Sequence, residues 1–433
     1  VTRADEEIQK QRDEPLDTAL ITQSDNEPHS HHDPYQVLRF RDFRLLFIGT
    51  FIATVGEQMI NVAIGWELYE RTGSALALGW VGLVQIIPVI LLSLPAGQLA
   101  DRFSRKRIVI VTQVILALAS LGLTALSFTH GSLILIYGCL LLIGGAVAFN
   151  NPASSTLIPQ IVPEGAYANA ATWSSSSWQL ASVLGPALGG FVIVLSHSAT
   201  LVYGLNAGAS LLFVILLLPV GGGRPVVRAV EATTTGSLLE GVRFLKRSQI
   251  ILAAITLDLF AVLLGGATTL LPIYAKDILH VGPAGLGWLR AAPSIGAVCI
   301  SLSIAHFPPF KKTGRTLLLA VAGFGLATFI FGVSRSFWLS LLMLFLLGGL
   351  DNISVVIRST LLLTRTPDAM RGRVAAVNTL FVGASNELGG FESGLAAQLF
   401  GPVISVSAGG IGTMLVVLLV ALLWPEMRRL GGL

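Results

Sequence analysis

Gly97-Gln98-Leu99-Ala100-Asp101-Arg102-Phe103-Ser104-Arg105-Lys106-Arg107 joins two long apolar runs, near 75–99 and 107–129. Each run has the ~20 residues needed to cross the hydrocarbon of a bilayer. The charges between them belong at a membrane surface, with Asp101 at the end of one helix and basic residues just beyond it. Gly97 permits close helix approach. Asp101 can accept from Arg102 or Arg105, or from the N-terminal amides of a neighbouring helix. The segment therefore reads as a latch, with Gly97, Asp101, Arg102, Arg105, Lys106 and Arg107 as gating residues, made in one conformation and broken in another. The plainer alternative is a basic anchor carrying one chance acid.

Composition extends this reading to the whole chain. Of 433 residues, 53% are hydrophobic and 12% charged, against roughly 25% charged in soluble domains. Lipid must solvate much of that apolar surface. Further runs of spanning length lie near 44–68, 131–157, 168–195 and 198–219. Others follow near 249–275, 283–305, 315–333, 337–361, 371–398 and 401–424. The fold class expected is an all-α membrane protein of 12 transmembrane helices in two six-helix, pseudo-symmetric halves. The domains expected are a disordered cytoplasmic tail (1–38), an N-terminal bundle (39–219), a cytoplasmic linker (220–248) and a C-terminal bundle (249–433). The tail is polar and acid-rich with no apolar core, so no secretory signal is expected in it. In the linker, Leu238 to Phe244 alternates apolar and charged residues at helical spacing, as in an interfacial helix.

Basic residues orient the chain. With the tail inside, 24 of the 28 Lys and Arg fall on the cytoplasmic side. Arg71, Lys276 and Arg335 fall outside, and Arg290 within a helix. The positive-inside rule thus puts both termini in the cytoplasm of an inner (cytoplasmic) membrane protein. Cys139 and Cys299 both sit in apolar runs, which argues against a disulfide framework or thiolate metal site. His29, His31 and His32 lie in a Pro- and Asp-rich tail and read as solvated. No cofactor and no metal is expected.

The halves repeat each other. Ser155-Thr156-Leu157 with Pro163-Glu164-Gly165-Ala166 recurs 204 residues later as Ser359-Thr360-Leu361 with Pro367-Asp368-Ala369-Met370. Gly185 falls on Gly389 and Gly190 on Gly394 at the same offset. Leu78-Gly79-Trp80 recurs as Leu286-Gly287-Trp288. Parallel six-helix repeats place a substrate path at the seam between them.

The loop from Gly97 to Arg107 resembles the signature loop of the major facilitator superfamily, G-x-L-a-D-r-x-G-r-[RK]-x, with Ser104 in place of the second Gly. The resemblance implies a cytoplasmic gate that stabilises an outward-facing state, with Asp101 and Arg105 at its key positions. The equivalent loop around Ala305 to Arg315 keeps Lys311, Lys312 and Arg315 without the acid, so a weaker latch is expected there. In the fifth span, Ala181 with Gly185-Pro186-Ala187-Leu188-Gly189-Gly190 resembles the antiporter motif of facilitator exporters, G-x-x-x-G-P-x-x-G-G. Small residues pack helices closely and Pro186 can kink one. The motif residues Ala181, Gly185, Pro186, Gly189 and Gly190 favour efflux by that likeness. Pro152-Ala153 with Pro159, Glu240 to Leu245, and Arg371-Gly372-Arg373-Val374 lean towards the enterobactin exporter and macrolide efflux branch. Drug–proton antiporters of the superfamily commonly carry an Arg in the fourth helix. Here Leu133 to Ala153 has no charge, so a relay of that design is not expected.

Ionisable groups at membrane depth are costly and default to function. Glu57 lies roughly 18 Å into its helix, near the midplane of a ~30 Å core, beside Gln58 and Asn61. Asp258 belongs to the seventh span, Arg290 to the eighth, Asp351 and Asn352 to the tenth, Glu387 to the eleventh. Arg358 follows Asp351 seven residues on, either on a similar face or at the cytoplasmic surface. Glu392 lies near the outer surface. Family likeness turns Glu57, Asn150, Asn151, Asp258 and Asp351 towards the cavity. These residues are the candidates for binding substrate or protons. The alternative for each is a structural ion pair or hydrogen bond, with Arg290 balancing Asp258 or Asp351.

No phosphate-binding Gly-Lys-Ser loop is present, and no paired catalytic set, so neither an ATP-driven pump nor an enzyme is expected. Export of a small amphipathic compound (drug, macrolide or siderophore), coupled to proton antiport, leads. An uptake symporter, a lipid transporter and a non-transporting receptor are the alternatives. The expected partners are that substrate, protons and membrane lipids. No nucleic acid is expected, and the chain is expected to act as a monomer.

Overall fold

Gly73, at a left-handed φ of 59°, ends the first long helix, and Ser74 starts the second by accepting from the Ala77 amide. Turns this short leave consecutive helices antiparallel, and the pattern recurs along the computed structural model. Residues 33–221, 240, 243–245, 248–306 and 312–431 are described, with the side chains of Asp101 and Asp368 and five apolar residues excluded.

The first half holds α1 (Arg41–Thr72), α2 (Ala75–Arg102), α3 (Arg105–Phe128), α4 (Leu133–Ile161), α5 (Tyr167–Ser196) and α6 (Thr200–Leu217). The second holds α7 (Gln249–Leu264), α8 (Gly282–His306), α9 (Thr313–Val333), α10 (Phe337–Arg365), α11 (Asp368–Phe400) and α12 (Pro402–Leu423), then short α13 (Pro425–Arg429). After α7 the chain breaks at Gly265-Gly266 and completes the seventh span through short helical pieces and a π-turn, Tyr274–Ile278. Taking α7 to Ile278, no span boundary departs from expectation by more than four residues. Among the described residues, eleven helical spans are long and apolar enough to cross a membrane; α11, with 33 residues, is long enough but more polar. Apolar side chains such as Ile134, Leu319 and Leu422 are left exposed around the bundle, a surface for lipid rather than water.

The tail and linker are described only in part. Gln36–Arg39 forms a 3₁₀ turn held on α5, where Asn169 and Trp173 donate to the Pro34 carbonyl at 2.9 Å. In the linker, Glu240 and Arg243 to Leu245 are helical, Glu240 pairs with Arg373 of α11, and Leu245 packs with Ile251 and Val377. The rest of both segments, with His29, His31, His32 and Leu238, lies outside the described residues, as does Lys311 between α8 and α9.

The repeat is visible in how the helices pack. Gly185 of α5 lies against α1, where a Cβ would meet the Val55 carbonyl at 2.9 Å; Gly389 of α11 lies against α7, 2.8 Å from the Val262 and Leu263 carbonyls. Gly190 meets Gly287 of α8, and Gly394 meets Gly79 of α2. The same positions of each half therefore make the two crossings of the seam, α5–α8 and α2–α11. Backbones approach this closely only where side chains are absent.

These crossings lie at one end of the bundle, here the distal end, opposite the Arg102 to Arg107 loop. There Tyr69 of α1 donates to the Asp277 carboxylate, with Lys276 5.7 Å above the Tyr69 ring. Trp80 meets Phe391 edge-on at 5.1 Å, and Ser74 donates to Gln398 at 2.9 Å. Among the described residues, the hydrogen bonds and ring contacts between the two halves lie at this end, so the seam is closed distally.

A valine at Gly394 would place its Cβ 2.8 Å from the Gly79 Cα and 2.9 Å from the Ala75 carbonyl. Gly394→Val is expected to wedge the distal end apart and to abolish transport. Spin labels at Thr129 and Arg335 would then report a longer distance than in the parent; an unchanged distance would contradict the closure described.

Candidate functional site

The stripe Phe43, Phe47, Thr50, Thr54, Glu57, Asn61 recurs every three or four residues along α1, so it occupies one helix face. The opposite face is occupied: a Cβ on Gly56 would meet α6 at Ala209, and Met59 packs on Gly189 of α5. Further along the stripe, Gly65 faces the second half, 3.1 Å from Pro272 and 4.0 Å from the Arg290 guanidinium, measured from a Cβ built on it. Glu57 therefore looks into the seam. Its side chain is exposed and has no hydrogen-bond or ion-pair partner among the described residues.

Gln58 and Asn61 are tied down. Asn61 donates to Gln58 at 3.2 Å, Gln58 to Ser182 of α5 at 3.0 Å, and Ser182 to the Trp178 carbonyl at 2.9 Å. Asn150 accepts from Thr112 of α3 at 3.0 Å, while Asn151 is exposed with no partner among the described residues. Polar residues of α1 and α4 thus divide between interhelical bonds and open cavity wall.

In the second half Asp258 of α7 pairs with Arg358 of α10, both about 5% exposed. Arg358 is buried inside the bundle rather than at a surface. Asp351 lies on the arc of α10 between Arg358, facing α7, and Gly348, pressed on Pro293 of α8. It is half-buried with no partner among the described residues, whereas neighbouring Asn352 donates to Ser301 of α8 at 2.8 Å. Arg290 lies in the neighbourhood of Glu387, and its Nε makes no hydrogen bond among the described residues. Glu387 packs on Gly82 of α2, so Arg290 and Glu387 both touch the first half. Glu392 is exposed. Among the described residues, then, the first and tenth spans carry unpaired carboxylates, and Asp258 does not.

The motif residues are split between two contacts. Gly185 and Gly189 face α1, Pro186 and Gly190 face α8, and Ala181 is fully buried. In the gate loop, Lys106 donates to the Leu218 and Val220 carbonyls at 2.8 and 2.5 Å, capping the end of α6. Arg102 and Arg107 are exposed, Arg105 is half-buried, and the Asp101 side chain lies outside the described residues.

Two six-helix halves closing around a polar seam, with glycine crossings at equivalent positions, define a transporter of the major facilitator type. The chain belongs to the transmembrane secretion effector family of that superfamily, whose profile matches residues 32–429. It is 28% identical to the enterobactin exporter EntS of Citrobacter koseri over 388 residues, covering 89% of this chain and 92% of that protein. The enterobactin exporter of Escherichia coli O81 is 27% identical over the same length. Among solved structures, the nucleoside transporter NupG superposes with a TM-score of 0.68 at 13% identity, over 90% of this chain and 99% of that one. A bacterial homologue of the lysosomal transporter Spinster, inward-facing and unoccupied, gives 0.69 at 15% identity, over 90% and 97%. The chain is a multi-pass membrane transporter and not an enzyme.

Proposed function

We propose that the protein is a secondary active exporter of the inner membrane, with both termini cytoplasmic, that moves a small amphipathic organic compound by alternating access in exchange for protons. Under that orientation the closed distal end faces outward, as in the state in which an exporter loads its cargo from the cytoplasm. The reading rests chiefly on Glu57. An unpaired carboxylate at midplane depth is costly, and a cavity that opens to each side in turn lets it exchange a proton with either. Asp351 is a second group of this kind in the other half. The gate loop and the α5 Gly-Pro pattern support efflux, and the similarity to enterobactin exporters supports a siderophore among the candidate cargoes.

The test is genetic. The gene is deleted in its own host, and parent, deletion and Asp101→Asn strains are compared for antibiotic sensitivity and siderophore secretion. Increased drug sensitivity with normal secretion assigns drug efflux; lost secretion alone assigns siderophore export. In either case Asp101→Asn is expected to behave as the deletion does. No change in either readout would overturn both.

A further inference from the structure

A cleft of about 200 Å³ opens at the loop end between α1, α4 and α5. Phe43, Phe47, Thr50 and Thr54 form its α1 wall, and Ser174, Ser177 and Trp178 its α5 wall. Among the described residues, no charged side chain lines it. Its α1 wall is the Glu57 stripe continued, since Thr54 and Glu57 are three residues and ~4.5 Å of helix rise apart.

Six hydroxyls line this cleft; Ser154 and Ser155 bond within α4, and the other four do not bond the protein among the described residues. In membrane helices Ser and Thr ordinarily bond the carbonyl four residues back. Ser120, Thr124, Ser182, Ser196, Thr328 and Thr360 all do so here, at 2.8–2.9 Å. Thr50, Thr54, Ser174 and Ser177 sit within α-helices yet bond nothing among the described residues. The Trp178 indole N–H is likewise without a partner, and its side chain is 57% exposed. The aromatic wall is braced from behind: Phe47 meets Trp173 edge-on at 5.8 Å, and Trp173 is anchored to the Pro34 carbonyl. Five free hydrogen-bonding groups set among these aromatic rings form a preorganised surface.

From this geometry we infer that the cleft binds a neutral aromatic alcohol, or one such ring of a larger molecule. An ion would lose hydration there without meeting an opposite charge. A planar ring can stack on Phe47 or Trp178, and a hydroxyl can both donate to and accept from the free Thr and Ser groups. The volume is below the roughly 300–1,000 Å³ of sites that enclose drug-sized ligands, so one ring system fits and a whole macrolide does not. The role of the cleft, as a loading site on the way to Glu57, rests on the exporter reading; its binding chemistry does not.

The probe is 1-naphthol, titrated onto the full chain in nanodiscs by equilibrium dialysis, with empty nanodiscs subtracted for lipid partition. Saturable binding is expected. Thr54→Val and Ser177→Ala should each weaken it about fivefold, the worth of one hydrogen bond, with no loss of thermal stability because neither hydroxyl bonds the protein. Trp178→Ala should weaken it further. Decahydro-1-naphthol, which lacks the flat ring, and 1-naphthoate, which carries a charge, should bind on the order of tenfold more weakly. Binding equal to empty nanodiscs, insensitivity to both hydroxyl variants, or equal binding of 1-naphthoate would each overturn the proposal. Binding is read without transport, so its failure is separable from failure of the exporter reading.

Discussion

Arg358→Ala is expected to destabilise the protein by about 3–5 kcal/mol, because it strands the Asp258 carboxylate in the bundle interior. Both partners are about 5% exposed, and no other ion-pair partner of Asp258 is found among the described residues. Water cannot replace the guanidinium at that depth, and the neighbouring α7 and α10 surfaces are apolar, with Leu257, Ala261, Ile357 and Leu361 buried around the pair. Asp258→Asn should be damaging in the reverse sense, leaving Arg358 without its counter-charge. Replacing both, as Asp258→Leu with Arg358→Met, should recover much of the loss, since a well-packed apolar pair is often as stable as the buried ions. Thermal unfolding of the purified protein in detergent measures this. The single variants should fall on the order of 10 °C below the parent, and the double variant clearly less. Equal losses in all three would show that packing, not charge pairing, holds α7 to α10.

The contrast between this pair and Glu57 shows what a linear sequence can and cannot convey about a membrane bundle. Twelve spans were legible because lipid demands length and apolarity from each one separately. The exception in composition, α11, carries Asn386, Glu387 and Glu392, yet its length and the repeat still marked it. Partnerships between helices were not legible. Asp258 and Arg358 are a hundred residues apart in the chain, and helical spacing tells which face a residue occupies but not which helix lies opposite. For that reason Arg290 had Asp258 or Asp351 as its expected counter-charge, whereas the structure sets it near Glu387. The break at Gly265-Gly266 was also missed: the seventh span read as one helix because its hydropathy is continuous. The hydroxyl cleft did leave a signal. Thr50 and Thr54 extend the Glu57 face at three- and four-residue steps, and the Ser174 to Ser177 run lies on a helix whose later glycines pack against α1. That signal is weak, because a Ser or Thr in a membrane helix usually satisfies itself on its own backbone, and helical spacing does not tell which ones do not.

Glu57→Gln is expected to uncouple transport from the proton gradient while leaving the fold intact. The substitution keeps the side chain's shape and removes only its ability to carry and release a proton. Glu57 makes no hydrogen bond or ion pair among the described residues, so nothing structural is lost with the charge. Arg358 and Glu57 thus separate along two axes: one variant should unfold the protein, the other should leave it folded but uncoupled. In proteoliposomes loaded with the cargo that the deletion strain identifies, a pH gradient should drive transport by the parent. Glu57→Gln should fall to the level of empty liposomes, while exchange of labelled for unlabelled cargo without a gradient continues, because that exchange needs only the alternation of the two halves. Asp351→Asn tests whether the second unpaired carboxylate shares the task; a partial loss there, with exchange retained, would make the coupling a property of both halves. Gradient-driven transport by Glu57→Gln and Asp351→Asn at parental rates would remove proton antiport from the mechanism. The glycine crossings and the distal closure would then still describe an alternating transporter, but one driven by something other than these carboxylates.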